Sequence, residues 1–202
     1  MTRGLEQQET GLEELEAQFD AFIEEAHRLK RAYSSIITLL VGAETEYITP
    51  EDLHHLEKVL ERHEGKIEYL VGSVHHVNEI PIDFDEPTFQ HALQSLSAKR
   101  PAGHPTVETF LETYIDAQYD LITRFKPEII GHFDLCRLYT PDLDLRSFPG
   151  VLEKIKRNIS YACDYGALFE FNAAAFRKGW TTAYPGKDIV EVSRSFILTS
   201  SR

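Results

Sequence analysis

The regular alternation of amphipathic helix patterns with short β-branched apolar runs is the feature that most constrains the fold of this chain. Apolar residues recur at three- and four-residue spacing from Leu12 to Tyr33, which predicts a helix with one buried face. The next run, SSIITLLVGAETEY at 34–47, is nearly continuous in apolar residues, as in a strand that is covered on both faces. Strands and helices that take turns in this way predict an α/β fold with a parallel sheet.

The alternation continues along the chain. Thr49 and Pro50 mark the start of a second helix, which should end near Gly65. Further strands are predicted in KIEYLVGSVHHV, EIIGHFDL and ALFEFN, with long helices before the last two. The segment from Glu79 to Pro105 is the least regular, and we expect a short helix and then an exposed loop there. The pattern therefore predicts about four parallel strands.

Length, charge and cysteine content narrow the class of protein. The 202 residues suit a single domain, and a formal net charge of −12 argues against a general binding surface for nucleic acid or anionic lipid. No window approaches the roughly 18 consecutive apolar residues of a membrane span. Two cysteines, Cys136 and Cys163, suggest no disulfide framework, which fits a reducing compartment. We therefore expect a cytoplasmic protein whose partner is neither nucleic acid nor a membrane.

Polar side chains follow each predicted strand at the point where it ends. They are Glu44 and Glu46, His75 and His76, His132 and Asp134, and Glu170 and Asn172. The carboxyl ends of parallel strands meet at one edge of a sheet, so several of these side chains should converge there. Imidazoles with a carboxylate form a metal-binding set suited to zinc or iron, although a single histidine is more often a hydrogen-bonded structural residue. The surface histidines His54, His55, His91 and His104 carry no such expectation.

Four ordered segments resemble a known family. VGAETEY, VGSVHHVNEIPIDFD, IIGHFDLCRLY and FEFNAAAFRKGWTTAYPGKDI are similar to successive segments of the polymerase and histidinol phosphatase (PHP) family, in its histidinol-phosphate phosphatase branch. The resemblance spans about 12–189. It implies a distorted, TIM-like (β/α)7 barrel with two or three divalent ions, zinc, iron or manganese, at the carboxyl ends of its strands. It also implies hydrolysis of L-histidinol phosphate to L-histidinol and phosphate, a step of histidine biosynthesis.

The resemblance also assigns roles to individual residues. It makes Glu44 the bridging metal ligand and His75 and His132 further ligands, so that these three form the catalytic centre. It makes Arg137 and Arg177 phosphate-binding residues, and a guanidinium suits that role because its planar fork can meet two phosphate oxygens. Three more residues stand beside the ligands or the substrate: Glu46, His76 and Asn172.

The sequence departs from the family pattern at both ends. Family members begin with a strand bearing His-x-His and a second bearing another His, and they end with a strand bearing Asp-x-His; none of these strands is recognisable here. We therefore expect a single incomplete domain with about four barrel strands, a divergent tail at 190–202, two unpaired sheet edges with exposed apolar surface, and at most one intact ion site. A truncated gene product or a short isoform would have these properties.

Three functions stay open at this stage. The first is a metal-dependent histidinol-phosphatase, for which activity of this exact chain is doubtful. The second is a non-catalytic remnant of the family. The third is a phosphatase with the same metals that hydrolyses another small phosphate ester. It stays open because the shape of the pocket, and not the metal ligands, selects the alcohol portion of the substrate.

Overall fold

The computed structural model of the chain describes residues 11–97 and 106–197. Its strands are β1 Gly42–Glu44, β2 Tyr69–Gly72, β3 His76–Val77, β4 Ile80–Pro81, β5 Ile129–Ile130 and β6 Leu168–Phe169. Four of them form a parallel sheet in the order β1-β2-β5-β6. The predicted α/β fold with four parallel strands is therefore confirmed, and it is compatible with part of a TIM-like barrel. The sheet is open, because β1 and β6 do not pair with each other in the described residues.

Helices connect these strands and cover the sheet. They are α1 Leu12–Ala32, α2 Pro50–Arg62, α3 Glu86–Ser95, α4 Thr106–Phe125, α5 Pro149–Asp164, α6 Ala174–Arg177 and α7 Lys187–Ile197. Thr49 and Asp52 form a capping box at the start of α2, as the Thr49–Pro50 signal predicts. No helix in the described part of the chain is long and apolar enough to cross a membrane.

The hydrophobic core lies where α4 and α5 pack against the sheet. Its members include fully buried side chains from both helices and from β5: Leu111, Ile115, Leu121, Ile122, Ile130, Ile155 and Ile159. One polar side chain joins the two helices inside this core. Asn158 Nδ2 donates to the carbonyl of Ile115 at 2.8 Å and to Oε1 of Gln118 at 3.1 Å, so its burial is compensated. This core fixes the positions of β2 and β5, which carry two of the candidate ligands.

The first strand is shorter and less covered than the sequence predicts. The predicted strand at 34–47 shrinks to the three residues of β1, and the apolar run before it is not covered on both faces. Ile36 is 79% exposed and Leu40 is 62% exposed, because no described element packs over them. At the opposite edge, Leu168 and Phe171 are exposed as well. The expected apolar surface at two unpaired edges is thus present.

Three features were not predicted from the sequence: the β3–β4 hairpin, the short helix α6 and the helix α7. The β3–β4 hairpin turns through Asn78 and Glu79, which both have positive φ, 52° and 67°. An Asn at such a position is common, whereas a Glu is not, so the local sequence carries only a weak turn signal. Helix α7 was also missed, since its segment lies in and next to the tail that departs from the family pattern. The loop expected around 98–105, with His104, lies outside the described residues.

Candidate metal centre

Glu44, His75 and His132 converge at one edge of the sheet. Glu44 is the last residue of β1, and His75 and His132 follow β2 and β5 within three residues. Because these three strands are parallel neighbours, their carboxyl ends point in the same direction. One potential ligand atom from each side chain lies within 4.8 Å of the others. The convergence predicted from the sequence is therefore confirmed.

The three ligand atoms form a triangle of a size that suits one ion. His75 Nε2 and His132 Nε2 lie 3.1 Å apart, and Glu44 Oε1 lies 3.2 Å from His132 Nε2 and 3.6 Å from His75 Nε2. Ligand atoms around a tetrahedral ion with bonds of 2.0–2.1 Å lie about 3.3 Å apart. Two imidazoles and a carboxylate are also a donor set that zinc and iron accept. The residues present thus fit a divalent ion.

The carboxylate of Glu44 is ready to act as a ligand. Its side chain is half-exposed, whereas the two imidazoles are largely buried. The hydrogen bond with His132 is the main cause that lowers the pKa of Glu44 to about 2, against the opposing effect of burial. Glu44 therefore carries a negative charge throughout the pH range in which a histidine can bind a metal.

Glu46 holds the ring of His75 from the side that faces away from the other ligands. Its Oε2 lies 2.7 Å from Nδ1 of His75, and its Oε1 accepts the backbone N–H of His75 at 3.1 Å. Burial raises the pKa of Glu46, but the hydrogen bonds from His75 and His76 outweigh that effect and hold the pKa well below its usual value. An ionised carboxylate beside Nδ1 keeps the ring proton on that nitrogen. Nε2 is then unprotonated and can bind a metal ion through its lone pair.

His132 is held through its backbone. Glu170, which directly follows β6, accepts the His132 N–H on Oε2 at 2.9 Å. The preceding residue, Gly131, lies close to β2, because a Cβ atom there would be 2.4 Å from Oγ of Ser73 and would force that side chain to move. This close approach between the ends of β2 and β5 brings the two imidazoles together. Nδ1 of His132 is buried and has no hydrogen-bond partner in the described residues.

Comparison with known proteins identifies the family of this chain. The sequence profile of the PHP domain matches residues 7–174, which is most of the chain. The chain belongs to the PHP domain family. The matched range contains all three converging ligands as well as Glu46 and Glu170.

Two curated relatives of this PHP domain are longer proteins. A probable histidinol-phosphatase of Schizosaccharomyces pombe is 45% identical over 183 residues, which cover 89% of this chain and 57% of the relative. A histidinol-phosphatase of Saccharomyces cerevisiae is 28% identical over 201 residues, which cover 87% of this chain and 58% of the relative. The chain thus spans less than two thirds of the length of the relatives it matches.

Arg137, predicted to bind phosphate, lies buried among two carboxylates and a backbone carbonyl. It is 3% exposed, and its guanidinium donates to Asp134 at 2.6 and 3.0 Å, to Asp188 at 2.6 and 2.9 Å, and to the carbonyl of Leu143 at 2.8 Å. All three guanidinium nitrogens of Arg137 therefore donate to acceptors within the chain. These contacts link the loop after β5 to α7, and a contact of Arg137 with phosphate stays a prediction.

The other predicted substrate contacts are His76, Asn172 and Arg177. Nδ1 of His76 lies 3.2 Å from Oε1 of Glu46, the carboxylate that also contacts the ring of His75. The side chain of Asn172 shapes a turn, since it donates to Glu170 at 3.0 Å and accepts the N–H of Ala174 at 2.7 Å. Arg177 ends α6 and is exposed, and among the described residues no contact joins it to the ligands. The roles of all three in substrate binding stay predictions.

Proposed function

We propose that this chain carries the metal-binding part of a histidinol-phosphate phosphatase, a phosphoric monoester hydrolase of histidine biosynthesis. The reaction would be the hydrolysis of L-histidinol phosphate to L-histidinol and phosphate. The observation that supports it most is the convergence of Glu44, His75 and His132 at neighbouring strand ends of a PHP domain. The names of the two curated relatives support the choice of substrate.

A divalent ion, zinc, iron or manganese, would be held by Glu44, His75 and His132. When bound, such an ion supplies positive charge that activates water and neutralises a phosphoryl group. The chain itself keeps the ligand atoms within the distances of a single ion before any substrate arrives. Glu46 orients His75, and Glu170 fixes the backbone that carries His132. These contacts preorganise the ligands, so that they need not move during the reaction.

The substrate would approach from the exposed side of Glu44. Arg177 is the cation we propose for the phosphate, because its guanidinium forms no ion pair with any residue that the structure describes. His76 and Asn172 would contribute polar contacts at the rim. The partner is therefore a small phosphate ester rather than nucleic acid or a membrane, and a cytoplasmic location remains part of this proposal.

Two alternatives are kept because the chain spans little more than half of each relative. A non-catalytic remnant would hold an ion at this triad without turning over a substrate, or would hold none. A phosphoesterase with another substrate would keep the same ligands and differ only around the alcohol. The open sheet with exposed Ile36 and Leu168 favours the remnant over the second alternative.

The deciding experiment measures metal content and phosphate release on the purified chain. We expect about one equivalent of a divalent metal by mass spectrometry, and release of phosphate from L-histidinol phosphate that Glu44→Gln and His132→Ala abolish. His91→Ala is the matched control, since His91 is exposed on α3. A chain that binds metal but releases no phosphate would support the non-catalytic remnant. A chain that hydrolyses only other phosphate esters would support the phosphoesterase with another substrate.

A further inference from the structure

Ser73 lies at the point where the three ligand-bearing strands end. It directly follows β2, which is the strand between β1 and β5. On the side of β1, its backbone N–H donates to Oγ1 of Thr45 at 3.1 Å, and Thr45 is the residue after Glu44. On the side of β5, a Cβ atom at Gly131 would meet Oγ of Ser73, and Gly131 is the residue before His132. Ser73 therefore contacts the neighbours of two predicted ligands.

The side chain of Ser73 lies on the same face of the sheet as Glu44. A Cβ atom at Gly131 would meet Cγ1 of Val71 at 3.1 Å as well as Oγ of Ser73, so these two side chains of β2 and its end share a face. Val71 is the registered partner of Glu44 in the parallel β1–β2 pair, and paired residues on neighbouring strands point to the same face. The hydrogen bond with His132 lowers the pKa of Glu44 most, burial opposes it, and the Ser73 hydroxyl lowers the pKa further.

The Ser73 hydroxyl is buried and unsatisfied. Ser73 is 1% exposed, and its Oγ has no hydrogen-bond partner among the residues that the structure describes. Nearly all buried hydroxyls are hydrogen-bonded, because an unsatisfied polar group lowers stability. An alanine would fill the same space without that penalty. The hydroxyl therefore has a donor proton that a rearrangement of the adjacent ligands can use.

Ion binding would change the hydrogen bonds of Glu44. Oε1 of Glu44 lies 3.2 Å from Nε2 of His132. An imidazole nitrogen that binds an ion does so through its lone pair and carries no proton, so it cannot hold the carboxylate by a hydrogen bond at the same time. The side chain of Glu44 is 52% exposed, so packing alone does not fix its direction. Carboxylates that bind a metal are usually oriented by a further hydrogen bond, and the Ser73 hydroxyl is free to donate one.

We propose that Ser73 is a positioning residue of the candidate metal centre. Its hydroxyl donates to the carboxylate of Glu44 and keeps it directed toward His75 and His132 when an ion is bound. This inference rests on the proposed function, because it takes the three side chains as an ion site, but it does not require turnover. It also explains a polar side chain at a place where the close approach of Gly131 requires only a small one.

The test compares the Zn²⁺ affinity of Ser73→Ala with that of the unmodified chain, by titration against a competing chelator. We expect Ser73→Ala to bind Zn²⁺ about tenfold more weakly, because a ligand loses its orienting partner. Its midpoint of urea unfolding, followed by Trp180 fluorescence in excess chelator, should be unchanged or higher, because an unsatisfied hydroxyl has been removed. Ser193→Ala is the matched control and should keep the Zn²⁺ affinity, since it removes a serine hydroxyl on α7 that donates to the carbonyl of Ile189.

A double-mutant cycle shows whether Ser73 acts through Glu44. In a chain that already carries Glu44→Ala, the further change Ser73→Ala should alter the Zn²⁺ affinity by less than about twofold, because the carboxylate that the hydroxyl positions is gone. A role in packing alone would not produce this dependence on Glu44.

The outcomes separate this inference from the proposed function. Unchanged Zn²⁺ affinity in Ser73→Ala overturns the inference, whether or not the variant loses stability. An equal loss of affinity with and without Glu44→Ala overturns it as well, since Ser73 would then act on another group. A wild-type chain that binds Zn²⁺ but releases no phosphate overturns the proposed phosphatase activity alone. A wild-type chain that binds no Zn²⁺ and releases no phosphate overturns both proposals.

Discussion

Oε2 of Glu46 lies 2.7 Å from Nδ1 of His75, so a carboxylate that is not itself in the ligand triangle decides which imidazole nitrogen faces the triangle. The contact joins residues 29 positions apart, at the ends of the two neighbouring strands β1 and β2. The sequence places Glu46 and His75 after separate strands, and parallel pairing brings them together.

Glu46→Gln tests this orienting contact. The uncharged amide stabilises a proton on Nδ1 of His75 less well than the carboxylate does. The imidazole ring is then less firmly oriented, and its Nε2 is a weaker metal ligand. We expect the affinity for Zn²⁺ to fall by about ten- to hundredfold, the usual effect of losing such a partner, as measured by titration against a competing chelator. Glu24→Gln, an exposed position on α1, is the control. Equal affinities for the two variants would show that the contact does not orient the ligand.

Removal of a ligand should have a larger effect than removal of its partner. His132→Ala removes one of the two imidazole ligands. We expect this variant to contain less than one equivalent of metal after gel filtration. His91→Ala should retain as much metal as the unmodified chain, because His91 is exposed on α3. A variant His132→Ala that keeps its metal would place the ion elsewhere.

The pH dependence of metal binding follows from the environment of His75. Burial lowers the pKa of His75, but the hydrogen bond and charge of Glu46 outweigh this and raise it above 6.5. A proton therefore competes with a metal at His75 up to a higher pH than for an ordinary imidazole, and apparent affinity should fall as the pH drops through that range. Repeating the chelator titration from pH 8 to pH 5.5 measures this fall. With Glu46→Gln it should begin at lower pH, and an unshifted profile would contradict the assignment.

The strand pattern was sufficient to predict that polar side chains meet at one edge of the sheet, and the family resemblance selected three of them as the ligands. Glu44, His75 and His132 follow apolar runs, and a chain that alternates strands with helices forms parallel pairs. Their meeting therefore depends only on strand type and direction, both of which hydrophobic patterns carry. Local signals at Thr49 and Pro50 likewise predict the start of α2, whereas the helix ends at Arg62 and not near Gly65.

The sequence could not predict contacts that depend on the tertiary positions of loops. Arg137 follows His132 by five residues and could be read as a free cation, but Asp188 meets it from 51 positions further along the chain. Nothing in the local sequence of either residue signals that contact. The exposed run at Ile36 and Leu40 was misread for a related reason, since burial of a strand depends on neighbours that its own sequence does not specify.

The exposed edges predict self-association. Leu168 lies in the edge strand β6 and is 67% exposed, and Phe171 follows it. An unpaired edge with apolar side chains is a template for pairing with another chain. We expect the sedimentation coefficient to rise with protein concentration, and Leu168→Lys to reduce that rise. A chain that stays monomeric at high concentration would show that these edges are protected in solution.

The cluster of Arg137, Asp134 and Asp188 predicts a strong dependence of stability on one guanidinium. Arg137→Ala would leave two carboxylates with exposures of 0% and 10% without their cation, and breaking such a pair costs about 3–5 kcal/mol of the free energy of unfolding. Urea denaturation measures this loss, and Arg146→Ala is the control because Arg146 pairs with Asp144 at the surface, where an ion pair contributes only about 0–1 kcal/mol. Arg137→Lys should lose less stability than Arg137→Ala and more than Arg146→Ala. The lysine keeps the positive charge but lacks the planar guanidinium that contacts both carboxylates. A stable Arg137→Ala variant that has lost phosphate binding would instead restore the phosphate contact expected from the family resemblance.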